Sequence, residues 1–262
     1  MTLSGIIGYF LAVCVGLSLG LIGGGGSILA VPVLIYVMGV QVKSAIAMSL
    51  VIVGVVSLIG IVPHWQQGNV NFKIAVLFAP GAMLGAYIGA RMATLPLITP
   101  TIQLGLFISM MLLAAYFMIQ NSNHEPVPAE VDTQITQEKS SHFPSWFAIP
   151  LEGLGVGIIT GLVGTGGGFM IIPALVLLGN TPIRQAIGTS LAIIVFKSIS
   201  GFIGYLGSIP VDINLMLTFS LAASAGMLIG AYLTQFLEAK QLEKGFGYFV
   251  ILVAIFMLLK WQ

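Results

Sequence analysis

Two glycine-rich stretches hold the residues of this chain whose types and spacing point to chemistry. The first reads Gly20-Leu21-Ile22-Gly23-Gly24-Gly25-Gly26-Ser27-Ile28-Leu29-Ala30-Val31-Pro32, the second Gly161-Leu162-Val163-Gly164-Thr165-Gly166-Gly167-Gly168-Phe169-Met170-Ile171-Ile172-Pro173. Gly20, Gly23, Gly25, Gly26 and the closing proline all recur 141 positions later, as the step from Pro32 to Pro173 shows. Each glycine inside a helix costs about 1 kcal/mol against alanine, so consecutive ones surrender helical order. Within hydrocarbon, unwound backbone is tolerated only where it is buried in protein or lines a wet cavity. A helix that restarts after such a break presents free N–H groups and the positive end of its dipole, which together suit an anion.

The residues expected to line this site are Gly24, Gly25, Gly26 and Ser27 in the first stretch and Thr165, Gly166, Gly167 and Gly168 in the second, with Ser27 and Thr165 adding hydroxyl donors. The competing reading, close helix packing, fits glycines at i, i+4, as in Gly85/Gly89 and Gly226/Gly230, better than it fits consecutive ones. Ser49, Thr189 and Ser190 lie early in the following apolar runs and serve either as further donors or as hydroxyls bonded to their own helix. Lys197 sits mid-run, where insertion costs about 2.5–3.5 kcal/mol, and its counterpart is the apolar Val56. It either faces the substrate path, bonds helix-end carbonyls, or snorkels. Lys43 and Arg184 read as interfacial anchors.

Other chemistries find little support. The glycines lack the Lys-Ser/Thr ending of a phosphate loop. No apolar run places a His near a Ser or Cys, so an intramembrane enzyme is not expected, and His64, His124 and His142 have no metal-ligand company. No cofactor is implied. The single cysteine, Cys14, excludes an intrachain disulfide and reads as a small core residue.

The elements that must position these residues are membrane helices. Hydrophobic residues make up 58% of the 262 and charged residues 6%, against roughly 45–50% and about 25% in soluble domains. A net charge of +1 gives no reason to expect nucleic acid as a partner; the lipid bilayer is the expected one. The terminus has no basic residue before its first apolar run, which argues against a cleaved signal peptide. Apolar runs cover residues 6–22, 28–38, 45–63, 74–92 and 102–119, with His64 to Asn69 an interfacial loop anchored by Trp65. The second run is short enough for a broken or re-entrant element. Runs at 147–163, 169–178, 186–205, 213–237 and 246–259 repeat the pattern, so the chain divides into a repeat over 1–120, a polar linker over 121–145 and a second repeat over 146–262.

The fold class expected is therefore an all-α polytopic membrane protein of two repeats, each of about five apolar elements, with the glycine breaks meeting near the midplane. A hairpin returns to the side it left, so three crossings remain in each half. An odd number inverts the second repeat relative to the first, the architecture of alternating-access transporters. Lys73, Lys139, Arg184, Lys240 and Lys244 fall on the linker face against Lys43, Arg91 and Lys260 on the other, which favours a cytoplasmic linker.

The double glycine motif, with Ala186-Ile187-Gly188-Thr189-Ser190-Leu191 and the looser Ala45-Ile46-Ala47-Met48-Ser49-Leu50 after it, resembles the sulfite exporter TauE/SafE family of anion transporters over nearly the whole chain. The first half departs from the pattern, with Met48 in place of Thr189 and Ser27 in place of Gly168. The resemblance implies export of sulfite, of organosulfonates such as sulfoacetate, or of related small sulfur-containing anions across a bacterial inner membrane. An anion channel with the same site, and a carrier for a different small anion, stay open. So does the oligomeric state, a homodimer included.

Overall fold

The computed structural model describes residues 3–122, 145–164, 168–177, 181–234, 236 and 239–260. All of their regular structure is helical, in the order α1 (Leu3–Ile22), a 3-10 segment (Gly23–Leu29), α2 (Ala30–Tyr36), α3 (Val42–Gln66), α4 (Phe72–Thr94) and α5 (Pro100–Ser122). The second half gives α6 (Ser145–Val163), α7 (Gly168–Leu177), α8 (Ile183–Tyr205), α9 (Ile213–Leu233) and α10 (Ala239–Leu259). Six helical segments are long and apolar enough to cross a bilayer, and two shorter apolar helices, Ile149–Val163 and Gly247–Leu259, accompany them. Outward faces carry Phe10, Val76, Leu84, Leu221 and Leu252, as lipid contact demands, while small residues face inward.

The first glycine stretch folds the chain back on itself. Gly23, at φ +67°, takes the left-handed conformation that reverses its direction after α1. The 3-10 segment then packs Gly26 onto the backbone of Ser18 and Leu19, and at the far end Met38 lies against Gly8. The arm therefore returns alongside α1, as expected of a hairpin. Gly164, at φ +74°, makes the equivalent turn after α6.

The two halves interlock through glycines that obey the 141-residue offset. A Cβ on Gly85 would collide with the Leu154 carbonyl, and one on Gly226 with the Val13 carbonyl; Gly89 and Gly230 meet Ile158 and Leu17 in the same way. Conversely, Gly157 and Gly16 press on the carbonyls of Ala82 and Ala223. Packing is thus the role of the i, i+4 glycines. In these contacts α4 runs in the same direction as α6, and α1 as α9. The central pair α3 and α8 pass in opposite directions, with Gly54 beside Ser198 and Leu50 beside Gly201.

Two sequence expectations are corrected. His64 and Trp65 are helical rather than part of a loop, because α3 carries Pro63 within it and continues to Gln66; His64 is buried, and only Trp65 keeps an exposed position, edge-on to Phe72 at 6.0 Å. Cys14 is not a core residue. It is exposed on α1, where it lines an apolar groove of 510 Å³ between α1, α2 and α10.

Candidate functional site

Gly23–Leu29 is buried throughout, so its backbone meets protein rather than lipid. At its centre Gly24 and Gly168 touch: a Cβ on either would collide with the backbone of the other. The first break thus meets the start of α7 inside the bundle. Gly24 directs its N–H to Ser190 Oγ at 3.5 Å, and Gly23 abuts Ile187, one turn earlier on α8. Across the offset, Ser49 Oγ reaches the Gly164 carbonyl and Gly164 abuts Ile46. Each half's glycine break is therefore held by the serine of the other half.

The hydroxyls have defined duties. Ser27 Oγ donates to the Gly24 carbonyl at 2.7 Å, which leaves its lone pairs as acceptors. Ser49 and Ser190 lie within bond distance of the carbonyls three residues back, Ile46 and Ile187, each at 2.7 Å. Ser190 donates to its own helix and accepts from the break of the opposite half, whereas the single Ser49 proton is shared between its own helix carbonyl and that of Gly164. Thr189 is placed elsewhere: its Oγ1 accepts the Asn71 N–H at 2.9 Å. Gly25 and Gly26 are buried with the rest of the 3-10 segment. Thr165, Gly166 and Gly167 lie outside the described residues.

Lys197 is fully enclosed and does not snorkel. Its Nζ donates to Thr160 Oγ1 at 2.8 Å, and Thr160 itself lies 3.2 Å from the Gly157 carbonyl. Seven residues beyond Ser190, it stands two helical turns along roughly the same face of α8, about 10 Å from that serine.

Residues not singled out by sequence reasoning complete the surroundings. A helix leaves its last four carbonyls without intrahelical partners, and the glycine turns prevent any continuation that would supply them. His64 Nε2 takes up the Gly20 carbonyl at 3.3 Å, and Thr234 Oγ1 reaches it at 3.0 Å. In the second half, Tyr205 donates to the Gly161 carbonyl at 2.9 Å and Gln103 Nε2 donates to the Leu162 carbonyl at 2.6 Å. The offset itself was the available signal, since it pairs His64 with Tyr205. Among the described residues no cluster of three or more His, Cys, Asp or Glu is placed to hold a metal ion.

Comparison with known proteins places this architecture. The family described as sulfite exporter TauE/SafE matches residues 9–257. A probable membrane transporter protein of Xylella fastidiosa strain Temecula1 is 32% identical over 251 residues, 93% of this chain and 91% of the relative. The probable membrane transporter YdhB of Bacillus subtilis is 25% identical over 84% of this chain and 86% of its own length. MJ0441 of Methanocaldococcus jannaschii, likewise a probable membrane transporter, is 26% identical over 95% of each. No solved structure matches. With these relatives, the family match over almost its full length and the membrane-spanning helices around a glycine core, the chain belongs to the sulfite exporter TauE/SafE family and is a multi-pass membrane transporter rather than an enzyme.

Proposed function

We propose that the protein exports small sulfur-containing anions, sulfite or organosulfonates such as sulfoacetate, by alternating access, with the anion held where the two glycine breaks meet. The observation that carries this reading is the contact of Gly24 with Gly168, flanked by Ser190 and Ser49 from opposite halves. The helix starts at the two breaks, the second within the segment from Thr165 to Gly168, turn the positive ends of their dipoles to the anion without a fixed cation, which suits an anion that must leave again, while the Ser27 and Ser190 protons go to the Gly24 and Ile187 carbonyls and hold the break in shape. Lys197 adds positive potential from two turns away. The opposed directions of α3 and α8 support treating the halves as inverted repeats about an axis in the membrane plane, and rocking of one repeat against the other would expose the shared centre to each side in turn. The linker face is assigned to the cytoplasm by its five cations against three.

The test is a binding screen on purified protein with sulfite, sulfoacetate, taurine, thiosulfate and sulfate, followed by flux in proteoliposomes. Sulfite or sulfoacetate should bind, and Gly25→Leu and Gly166→Leu should insert normally yet fail to transport, because a side chain would block backbone approach to the anion. Wild-type rates in both variants would move the site elsewhere. Binding of another anion alone would change the substrate and leave the site, and single-channel currents would replace the carrier by a channel.

A further inference from the structure

The corner between α3 and α4 is docked on the start of α8, directly above the glycine pair. Asn71 donates its N–H to Thr189 Oγ1 at 2.9 Å. Beside it, the Asn69 carbonyl lies so close to Gly188 that any Cβ there would collide with it, and that Cβ would also stand 3.2 Å from Val70 Cγ2. Gln67 Nε2 donates to the Ala231 carbonyl at 3.4 Å, and Asn69 donates its N–H to the His64 carbonyl at 2.9 Å. On either side of the docked pair on α8, Ile187 abuts Gly23 and Ser190 faces Gly24. Because α4 and α6 run in the same direction, the start of α4 lies at the end of the bundle where the linker joins α6.

The equivalent corner, between α8 and α9, is built differently. Asp212 stands 141 positions after Asn71 and caps α9 as Asn71 caps α4, its Oδ1 accepting from Leu215 N at 3.0 Å where Asn71 Oδ1 accepts from Ile74 N at 3.3 Å. The positions equivalent to Gly188 and Thr189 are Ala47 and Met48, which bring a Cβ to the seat and no oxygen to the latch. Ser208, Pro210 and Asp212 are exposed where their equivalents Gln67, Asn69 and Asn71 are half-buried, while Val211 packs on the core as Val70 does and Ile209 joins it.

We infer that the two corners are the gates of the carrier and that they are unequal: the α3–α4 corner, latched by Thr189 and seated on Gly188, holds the substrate-free protein closed at the linker end, while the α8–α9 corner, held by the apolar contacts of Ile209 and Val211 without latch or seat, opens more readily. Gly188 and Thr189 are thus positioning residues of transport rather than anion ligands. The inference rests on alternating access as proposed above. It makes an unusual demand on Gly188→Ala, a change that favours helix α8 by intrinsic propensity and yet denies the corner its seat.

The experiment reads gate opening directly. In a Cys14→Ala background, Ser190→Cys places a thiol beneath the corner, and a membrane-impermeant maleimide is applied to inside-out and right-side-out vesicles without substrate. Labelling from the linker end should be slow in this parent, rise about tenfold or more with Gly188→Ala, and rise about 2- to 10-fold with Thr189→Val, the range expected for one lost hydrogen bond. Thr189→Ser, which keeps the oxygen, should label at the parent rate. Ala47→Gly with Met48→Thr should slow labelling from the opposite end by building the missing latch. If Gly188→Ala and Thr189→Val both label at the parent rate, or if Thr189→Ser labels as fast as Thr189→Val, the inference is overturned; the threonine pair decides it even where Gly188→Ala fails to fold. Labelling needs no anion, so altered gating without sulfite flux would remove the proposed substrate and keep the gate. Sulfite flux with unchanged labelling would do the reverse.

Discussion

His64 and Tyr205 stand at equivalent positions of the two halves and perform the same task with different chemistry, each reaching the orphaned carbonyl at the end of the helix that precedes a glycine turn, Gly20 for His64 and Gly161 for Tyr205. The support behind them differs. Gly20 is also reached by Thr234, whereas the position equivalent to Thr234 is Ala93, so Gly161 has no second side-chain donor of that kind.

Tyr205→Phe should therefore destabilise the protein more than His64→Leu. Side-chain hydrogen bonds in membrane bundles contribute about 0.6 kcal/mol on average and about 1.7 at most, and the tyrosine change also strips a partner from Gln103 Nε2, 3.1 Å away. Thermal unfolding in detergent checks the order. A larger loss in His64→Leu would show that Thr234 does not hold the Gly20 carbonyl when the histidine is gone.

Glycines at the crossings should be intolerant of even one carbon, and the intolerance should follow location. Gly85→Ala and Gly226→Ala each push a methyl into a backbone carbonyl of the facing helix, which cannot yield as a flexible side chain would. Gly155, on α6 between two of the packed glycines, faces open space, so Gly155→Ala should be neutral or slightly stabilising through helix propensity. Melting temperatures of the three variants give the comparison; equal effects would mean that propensity, not contact, decides.

Much of this arrangement is legible in the sequence because duplication leaves a numerical trace. The offset announces the hairpin turns at Gly23 and Gly164, and the spacing of Gly85 and Gly89 separates packing glycines from the consecutive ones. Legibility fails where an interaction joins residues of unlike kind. Thr160 is one hydroxyl among several in apolar runs, and nothing local marks it as the partner of Lys197, 37 positions on. The polar run from His64 to Asn69 has the composition of a loop, yet helix α3 runs through Pro63, and His64 turns inward because Gly20 lacks an intrahelical donor. Cys14 has the size and polarity of a core residue, but whether a helical position faces core or groove is settled by the neighbour, here α10. For Thr165, Gly166 and Gly167, outside the described residues, the site is read from the sequence alone.

Lys197 offers a clean separation of roles. Lys197→Met removes a charge whose enclosure is costly, so the folded protein should be as stable as before or more so, while anion affinity should fall by severalfold if the ammonium contributes to the field at the glycine pair. Thr160→Val should produce a smaller loss of affinity, since it releases Nζ without removing its charge. Isothermal binding and melting curves measured on the same preparations decide the matter. Lower stability with unchanged affinity would reduce the lysine to a tie between α8 and α6.

Energy coupling follows from where the acidic residues are. Glu152, Asp212, Glu238 and Glu243 are the acids nearest the apolar runs in the sequence, and each lies near or beyond the end of a run rather than at its middle. A proton-driven carrier ordinarily places such a group deep in the membrane. Export of an anion from a negative interior is already downhill by roughly 2.3 kcal/mol per charge per 100 mV, enough to hold a monovalent anion about fiftyfold lower inside than out. No second ion is required, and the expected behaviour is facilitated, electrogenic flux. Proteoliposomes under a potassium-valinomycin potential should show anion flux that follows the imposed voltage and, once diffusion of the protonated acid through lipid is subtracted, ignores an imposed pH gradient. Flux that ignored voltage and accelerated with the pH gradient would require a proton carrier, with Glu152 or the buried His64 the first positions to substitute.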